Sequence, residues 1–132
     1  MTDRSHPTPT AQWAGRILSA FVVLALLADA TVNLIAPTIL KADMDATGFA
    51  QSSAPLLGGF MLVCAILYSV PRTATLGAIL TTGFLGGAIC THFRIGELGS
   101  PPQIISFVLG IMTWAGLYLR NPTVRKLLPL SV

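Results

Sequence analysis

Long apolar runs separated by short polar breaks dominate the chain. Four of these runs approach the roughly 20 residues that a helix needs to cross a bilayer. They cover residues 17–36, 54–70, 76–93 and 104–119. The pattern therefore predicts an all-α fold: a left-handed four-helix transmembrane bundle with up-down-up-down topology.

The polar stretches divide the chain into three parts. Residues 1–15 are polar and contain two prolines, which predicts a disordered N-terminal tail. Residues 16–122 make up the transmembrane domain, and residues 38–53 within it are predicted to be a loop with at most a weak amphipathic turn. Residues 123–132 form a short basic C-terminal tail, in which Arg125 and Lys126 beside two leucines predict a short interfacial helix.

Composition supports a membrane location. The chain is 53% hydrophobic and 10% charged, with a mean hydropathy of +0.74, whereas soluble domains carry about 25% charged residues. Its net charge of +3 is not a nucleic-acid footprint, because most basic residues are scattered singly.

The distribution of basic residues predicts the topology. With four spans, both termini lie on one side, and that side collects six basic residues: Arg4, Arg16, Arg72, Arg120, Arg125 and Lys126. Lys41 and Arg94 fall on the other side. The positive-inside rule then places both termini in the cytoplasm. Trp13, Tyr68 and Tyr118 fall near the predicted inner interface, where amphipathic rings prefer to lie.

The first span carries one acidic residue, Asp29. A lone charge there would cost about 2.5–3.5 kcal/mol near the bilayer centre, so it should face the bundle interior, stay protonated or find a partner. Ala28, Asp29 and Ala30 also resemble a signal-peptidase site. A retained anchor is the favoured interpretation, because the tail before the run is long and hydrophobicity continues to Ile35.

Polar residues of two spans are expected at similar depth. At a rise of about 1.5 Å per residue, Asp29 lies about 18 Å from the inner end, Asn33 and His92 about 24 Å, with Arg94 just beyond. The functional interpretation is a proton or ligand site of Asp29, Asn33 and His92, whose imidazole changes charge near neutral pH. The alternative is an interhelical hydrogen bond that fixes packing. Arg94 is expected to anchor the helix at the outer headgroups, or to bind an anion.

Gly83 and Gly87 lie four residues apart on one face of the third span. This spacing predicts a helix-packing face. The alternative is room for a flat ring between helices. Trp114 of the fourth span, at a similar depth, is a candidate to line such a pocket, although a core or lipid-facing role is the favoured interpretation.

The cysteines do not indicate redox chemistry. Cys64 and Cys90 would differ by about 12 Å in depth, too far for a disulfide, whose Cα atoms lie within about 7 Å. Both are expected to pack as small hydrophobic residues. The sequence contains no metal motif, phosphate-binding loop or nucleotide fingerprint, and therefore predicts no autonomous enzyme and no metal.

The chain strongly resembles the DoxX-like family of small bacterial four-span membrane proteins. The residues that carry the resemblance are YSVPRT (68–73), LGAILTTGFLGGA (76–88), THFRIG (91–96) and WAGLYLRNP (114–122), with Arg16 and Asp29 of the first span. It covers most of the chain outside the N-terminal tail and the first loop.

The resemblance implies more about fold than about chemistry. Relatives associated with thiosulfate:quinone oxidoreductase gave the family its name. The resemblance therefore implies an accessory subunit of a quinone-linked redox system in the bacterial cytoplasmic membrane. It also implies quinone as the ligand and a redox protein or a second copy as the partner. Asn33 replaces a lysine frequent in relatives, and Met61 a glutamate of some of them. The alternatives are a binding or transport module for a small lipophilic molecule, and a purely structural subunit.

Overall fold

The structure, a computed structural model, describes residues 7–128, and within them it contains helices and no strands. The α-helices are α1 (Pro9–Ile35), α2 (Lys41–Thr47), α3 (Ala54–Ser69), α4 (Ala74–Arg94), α5 (Pro101–Arg120) and α6 (Pro122–Leu127). Short 3-10 helices, Pro37–Leu40 and Gln51–Ser53, flank α2. Four helical stretches are long and apolar enough to cross a membrane: α1, α4, α5 and Gln51–Ser69, which contains α3. The predicted all-α four-span fold is confirmed.

The four long helices form a ring. Helix α1 packs against α3 and α5, and α4 packs against the same two helices, so α1 and α4 lie diagonally across the bundle. The start of α1, the α3–α4 turn and α6 meet at one end, which we call the terminal end. The end of α1, helix α2 and the α4–α5 turn meet at the other, the α2 end.

The first long helix begins earlier than the hydrophobic pattern predicts. It starts at Pro9 rather than at residue 17, and the side chain of Thr8 caps it by accepting a hydrogen bond from the Ala11 amide at 3.3 Å. Threonine at the N-cap followed by proline at the first helical position is a favoured helix start. The prediction of a disordered tail is therefore wrong for residues 9–15, while residues 1–6 lie outside the described residues.

Short helices occupy two segments outside the spans. Helix α6 confirms the short C-terminal helix, and the Asn121 side chain caps it by accepting hydrogen bonds from the amides of Thr123 and Val124. Residues 129–132 lie outside the described residues. The predicted loop at 38–53 contains α2, which ends at Gly48 with a φ of +79°, a conformation that favours glycine.

Glycines bring the helices close together at the terminal end. A Cβ atom on Gly15 of α1 would lie 2.8 Å from the Gly116 carbonyl oxygen of α5, and one on Gly116 would lie 2.7 Å from Ser19 Oγ. A Cβ atom on Gly77 would collide with the backbone of Tyr68, where α3 turns into α4. These approaches leave no space for a larger residue.

Tyr68 forms the polar centre of the terminal end. It is 0% exposed, and its hydroxyl donates to the Thr113 carbonyl at 2.7 Å and lies 3.1 Å from Ser19 Oγ. Arg120 donates to the Tyr68 carbonyl at 2.8 Å, with its guanidinium 4.9 Å from the ring centroid. Tyr68 lies in the last turn of α3, and this hydrogen bonding holds its ring inside the bundle; its depth relative to the membrane interface stays a prediction. Trp13, by contrast, is 62% exposed.

Candidate functional site

A half-open cavity of about 550 Å³ lies between the long helices at the α2 end. All four long helices line it, and residues of α2 cover it. Helix α1 contributes Asp29 and Asn33, and α4 contributes Gly83, Gly87 and His92. The structure thus brings together five residues singled out in the sequence, although their role in binding stays a prediction.

The glycines of α4 leave the cavity open. A Cβ atom on Gly83 or Gly87 would meet no heavy atom within 4 Å. The prediction that they form a close helix-packing face is therefore wrong, because they face the open diagonal between α4 and α1. The close backbone approaches occur instead at glycines such as Gly15, Gly77 and Gly116.

Asp29 and Asn33 form a polar pair one helical turn apart on α1. The Asn33 side-chain amide donates to the Asp29 backbone carbonyl at 2.9 Å and to its carboxyl oxygen Oδ1 at 3.2 Å. Asn33 is buried, and α3 holds it in place, since a Cβ atom on Gly58 would lie 2.9 Å from Asn33 Cβ. The carboxyl group is thereby oriented while its second oxygen stays available to a ligand.

His92 lies where the cavity meets a second, more polar space. Its Nδ1 atom is 2.8 Å from Glu97 Oε2, and its side chain is 16% exposed against 46% for Glu97. The second space, which we call the vestibule, has a volume of about 380 Å³ and includes Asp43, His92 and Glu97 in its lining. Asp43, Thr47, His92 and Pro102 line both spaces. These four residues therefore lie between the vestibule and the cavity at the α2 end.

Sequence reasoning missed Glu97 and Asp43. Glu97 follows α4 in the turn before α5, and five positions separate it from His92, so no helical spacing relates the two. Asp43 lies on α2, which the weak hydrophobic pattern did not predict as a helix. The one available signal in the sequence was the carboxylate of Glu97 close to His92, in a turn that contains glycines.

Arg94 holds α2 over the cavity. Its guanidinium donates to the Thr47 carbonyl at 2.7 Å, which joins the end of α4 to the end of α2. Arg94 is not among the residues that line the cavity. The structure therefore separates it from Asp29 and His92, which sequence reasoning grouped with it, and gives it a structural contact.

Trp114 lines a different space from the cavity. It lines a groove of about 770 Å³ between α4 and α5, together with Gly86 and Gly110. Its indole donates to Thr82 Oγ1 at 2.8 Å. Trp114 therefore does not share the cavity with Gly83, because successive α4 residues point to different sides of the helix.

The cysteines and metal-binding residue types do not form a centre. Cys64 is fully buried as a small hydrophobic residue, whereas Cys90 is exposed, contrary to expectation. Neither lines the cavity. Within residues 7–128, no group of three or more His, Cys, Asp or Glu side chains is placed to hold a metal ion.

The model of the DoxX-like family matches residues 17–116. This chain belongs to the DoxX-like family. The match contains every cavity residue of α1, α3, α4 and α5, so the cavity belongs to the domain that defines this DoxX-like protein. Comparison with curated proteins gave no match, and comparison with solved structures gave none.

Proposed function

We propose that this DoxX-like protein binds a small lipophilic molecule with a hydrogen-bonding head in the cavity at the α2 end. The observation that carries the proposal is the cavity itself, about 550 Å³ and shared by Asp29, Asn33 and His92. Small-molecule sites usually measure about 300–1,000 Å³ and combine apolar walls with a few polar groups. Apolar side chains such as Leu26 and Met61 supply the walls.

A quinone is the ligand class that fits these groups best. Its flat ring suits the space that Gly83 and Gly87 leave open. Its oxygens accept hydrogen bonds in the quinone form and also donate them in the quinol form, so they suit the Asp29 carboxyl group and the His92 imidazole as partners. The family resemblance favours the same class. An accessory role in a quinone-linked redox system follows, in which the partner carries out electron transfer.

The vestibule gives the bound head access to water. His92 borders both spaces and contacts Glu97, which is 46% exposed. An imidazole that bridges an exposed carboxylate and a cavity can pass protons between them. The basic residues at the terminal end favour a cytoplasmic location for that end, which would place the vestibule on the outer face of the membrane.

Native mass spectrometry of the detergent-purified protein tests the proposal. We expect a bound small molecule on the wild-type chain, and Asp29→Asn and His92→Gln should each reduce its occupancy about tenfold or more. Asp45→Asn is the matched control, because Asp45 pairs with Lys41 on the exposed face of α2 and does not line the cavity. Solvent extraction and the change in ultraviolet absorbance on reduction identify a quinone.

Two outcomes would contradict the proposal. A wild-type chain with no bound small molecule, in both detergent and native lipid, would leave the cavity without a ligand. Equal occupancy in Asp29→Asn, His92→Gln and Asp45→Asn would show that the polar residues of the cavity do not hold the head. A bound lipophile without quinone absorbance would retain the site and reject the ligand class.

A further inference from the structure

The groove between α4 and α5 is a second apolar space, on the outside of the bundle. It measures about 770 Å³, and Gly86, Gly110 and Ala115 are among its lining residues. A Cβ atom on Gly86 or Gly110 would meet nothing within 4 Å, so the missing side chains create open space. Leu85 and Ser106 line both the groove and the central cavity and so lie between them.

At its terminal end the groove meets basic residues. Tyr118 and Leu128 line it there. The guanidinium of Arg125 lies 5.2 Å from the Tyr118 ring centroid, and its Nε donates to the Tyr118 carbonyl at 3.1 Å. Lys126 is the next residue of α6 and is exposed. A cationic surface therefore adjoins an apolar groove.

Charge is distributed unevenly between the two ends of the bundle. The described basic residues at the terminal end are Arg16, Arg72, Arg120, Arg125 and Lys126. All four acidic residues within residues 7–128 occur in the α2 half of the bundle: Asp29, Asp43, Asp45 and Glu97. Among residues 7–128, the end of the groove at α6 thus has positive charge without nearby negative charge, which complements an anionic headgroup.

We infer that this groove binds an acyl chain of an anionic phospholipid, whose phosphate lies against Arg125 and Lys126. Basic residues beside the membrane attract anionic lipids, and basic pockets next to transmembrane helices bind their headgroups. An arginine held by its Nε still offers two terminal nitrogens to phosphate oxygens. The inference is independent of the ligand proposed for the central cavity.

Trp114 provides a probe inside the groove. The sequence contains two tryptophans, so Trp13→Phe leaves Trp114 as the only one. This variant is reconstituted in phosphatidylcholine vesicles for two titrations. One adds increasing fractions of phosphatidylglycerol with brominated acyl chains, and the other adds brominated phosphatidylcholine. Bromine quenches indole fluorescence on contact, so quenching reports a lipid in the groove. We expect the anionic lipid to reach half-maximal quenching at a mole fraction about fivefold lower than brominated phosphatidylcholine, or lower still. A fivefold preference corresponds to about one basic contact with the headgroup.

Three further variants sharpen the test. Adding Arg125→Gln and Lys126→Gln should abolish the preference for the anionic lipid, and Lys41→Gln, a basic residue at the opposite end, should keep it. Gly110→Leu should weaken quenching by both lipids, because leucine fills the groove. Identical quenching curves for the two lipids in the Trp13→Phe protein, or an undiminished preference after loss of both basic residues, would overturn the inference.

Discussion

At the terminal end of the bundle, glycines bring helices into contact, whereas at the α2 end they hold a space open. Gly15 and Gly116 let α1 and α5 approach until a Cβ atom on Gly15 would lie 2.8 Å from the opposing backbone. Gly83 and Gly87 would accept a Cβ atom without meeting anything within 4 Å. The difference follows from position in the ring, since α1 and α5 are neighbours while α4 faces α1 across the diagonal.

The polar groups of the two ends differ in the same way. At the terminal end the Tyr68 hydroxyl contacts α1 and α5 through Ser19 and Thr113, so polar bonding joins helices. At the α2 end Asp29 has its hydrogen-bond partner, Asn33, on its own helix. A group with such a local partner adds little to helix association and stays available for a ligand. The terminal end thus has the contacts that join helices, and the α2 end has the open space and polar groups that the proposed binding needs.

The largest expected effect is at Gly77. Gly77→Ala places a methyl group against the Tyr68 backbone, which cannot move without separating α3 from α4. We expect a loss of about 3 kcal/mol or more in the free energy of unfolding, measured by titration of detergent-purified protein with sodium dodecyl sulfate. A Gly77→Ala protein as stable as the wild type would refute the close contact.

Tyr68→Phe should have the next largest effect. It removes the hydroxyl that donates to Thr113 and leaves Ser19 without this partner. Because the site is buried, we expect the same titration to show a loss of about 1–2 kcal/mol. Tyr118→Phe is the control, since the described hydrogen bond of Tyr118 uses its carbonyl. Equal losses in the two variants would argue against a special role for the Tyr68 hydroxyl.

Arg94→Gln tests how α2 is held over the cavity. Loss of the bond to Thr47 removes a charged donor, usually worth about 1.5–3 kcal/mol. We expect amide hydrogen exchange in α2 to accelerate by about tenfold or more, while exchange in the long helices stays unchanged. Lys41→Gln breaks only an exposed pair with Asp45 and should accelerate exchange less. The idea fails if α2 exchanges at the wild-type rate in Arg94→Gln.

The smallest expected effect has the opposite sign. Gly87→Ala adds a methyl group to open space and improves helix propensity, so we expect a gain of up to about 1 kcal/mol in unfolding free energy. Gly77→Ala and Gly87→Ala are the same substitution on the same helix, so the difference between their unfolding free energies compares the two ends of the bundle. Destabilisation by Gly87→Ala would mean that helix α4 packs closely there too.

Much of the fold could be predicted from the sequence, because each long helix produces a hydrophobic run of its own. The start of α1 was missed, since residues 9–15 are too polar to extend the run, although Thr8 and Pro9 carried a capping signal. The shared depth of Asp29 and His92 follows from helix rise alone. The order of helices around the ring does not, and that order decides whether Gly83 packs or lines a cavity.

The central claim is that the open space at the α2 end holds a ligand. The most direct test measures how much small molecule stays bound to the Gly83→Leu protein. Gly59→Leu is the matched control, because Gly59 also has nothing within 4 Å of a Cβ atom but does not line the cavity. Native mass spectrometry should show the bound small molecule on the wild type and on Gly59→Leu, and its loss from an equally stable Gly83→Leu. Equal bound mass in Gly83→Leu and Gly59→Leu would contradict the account.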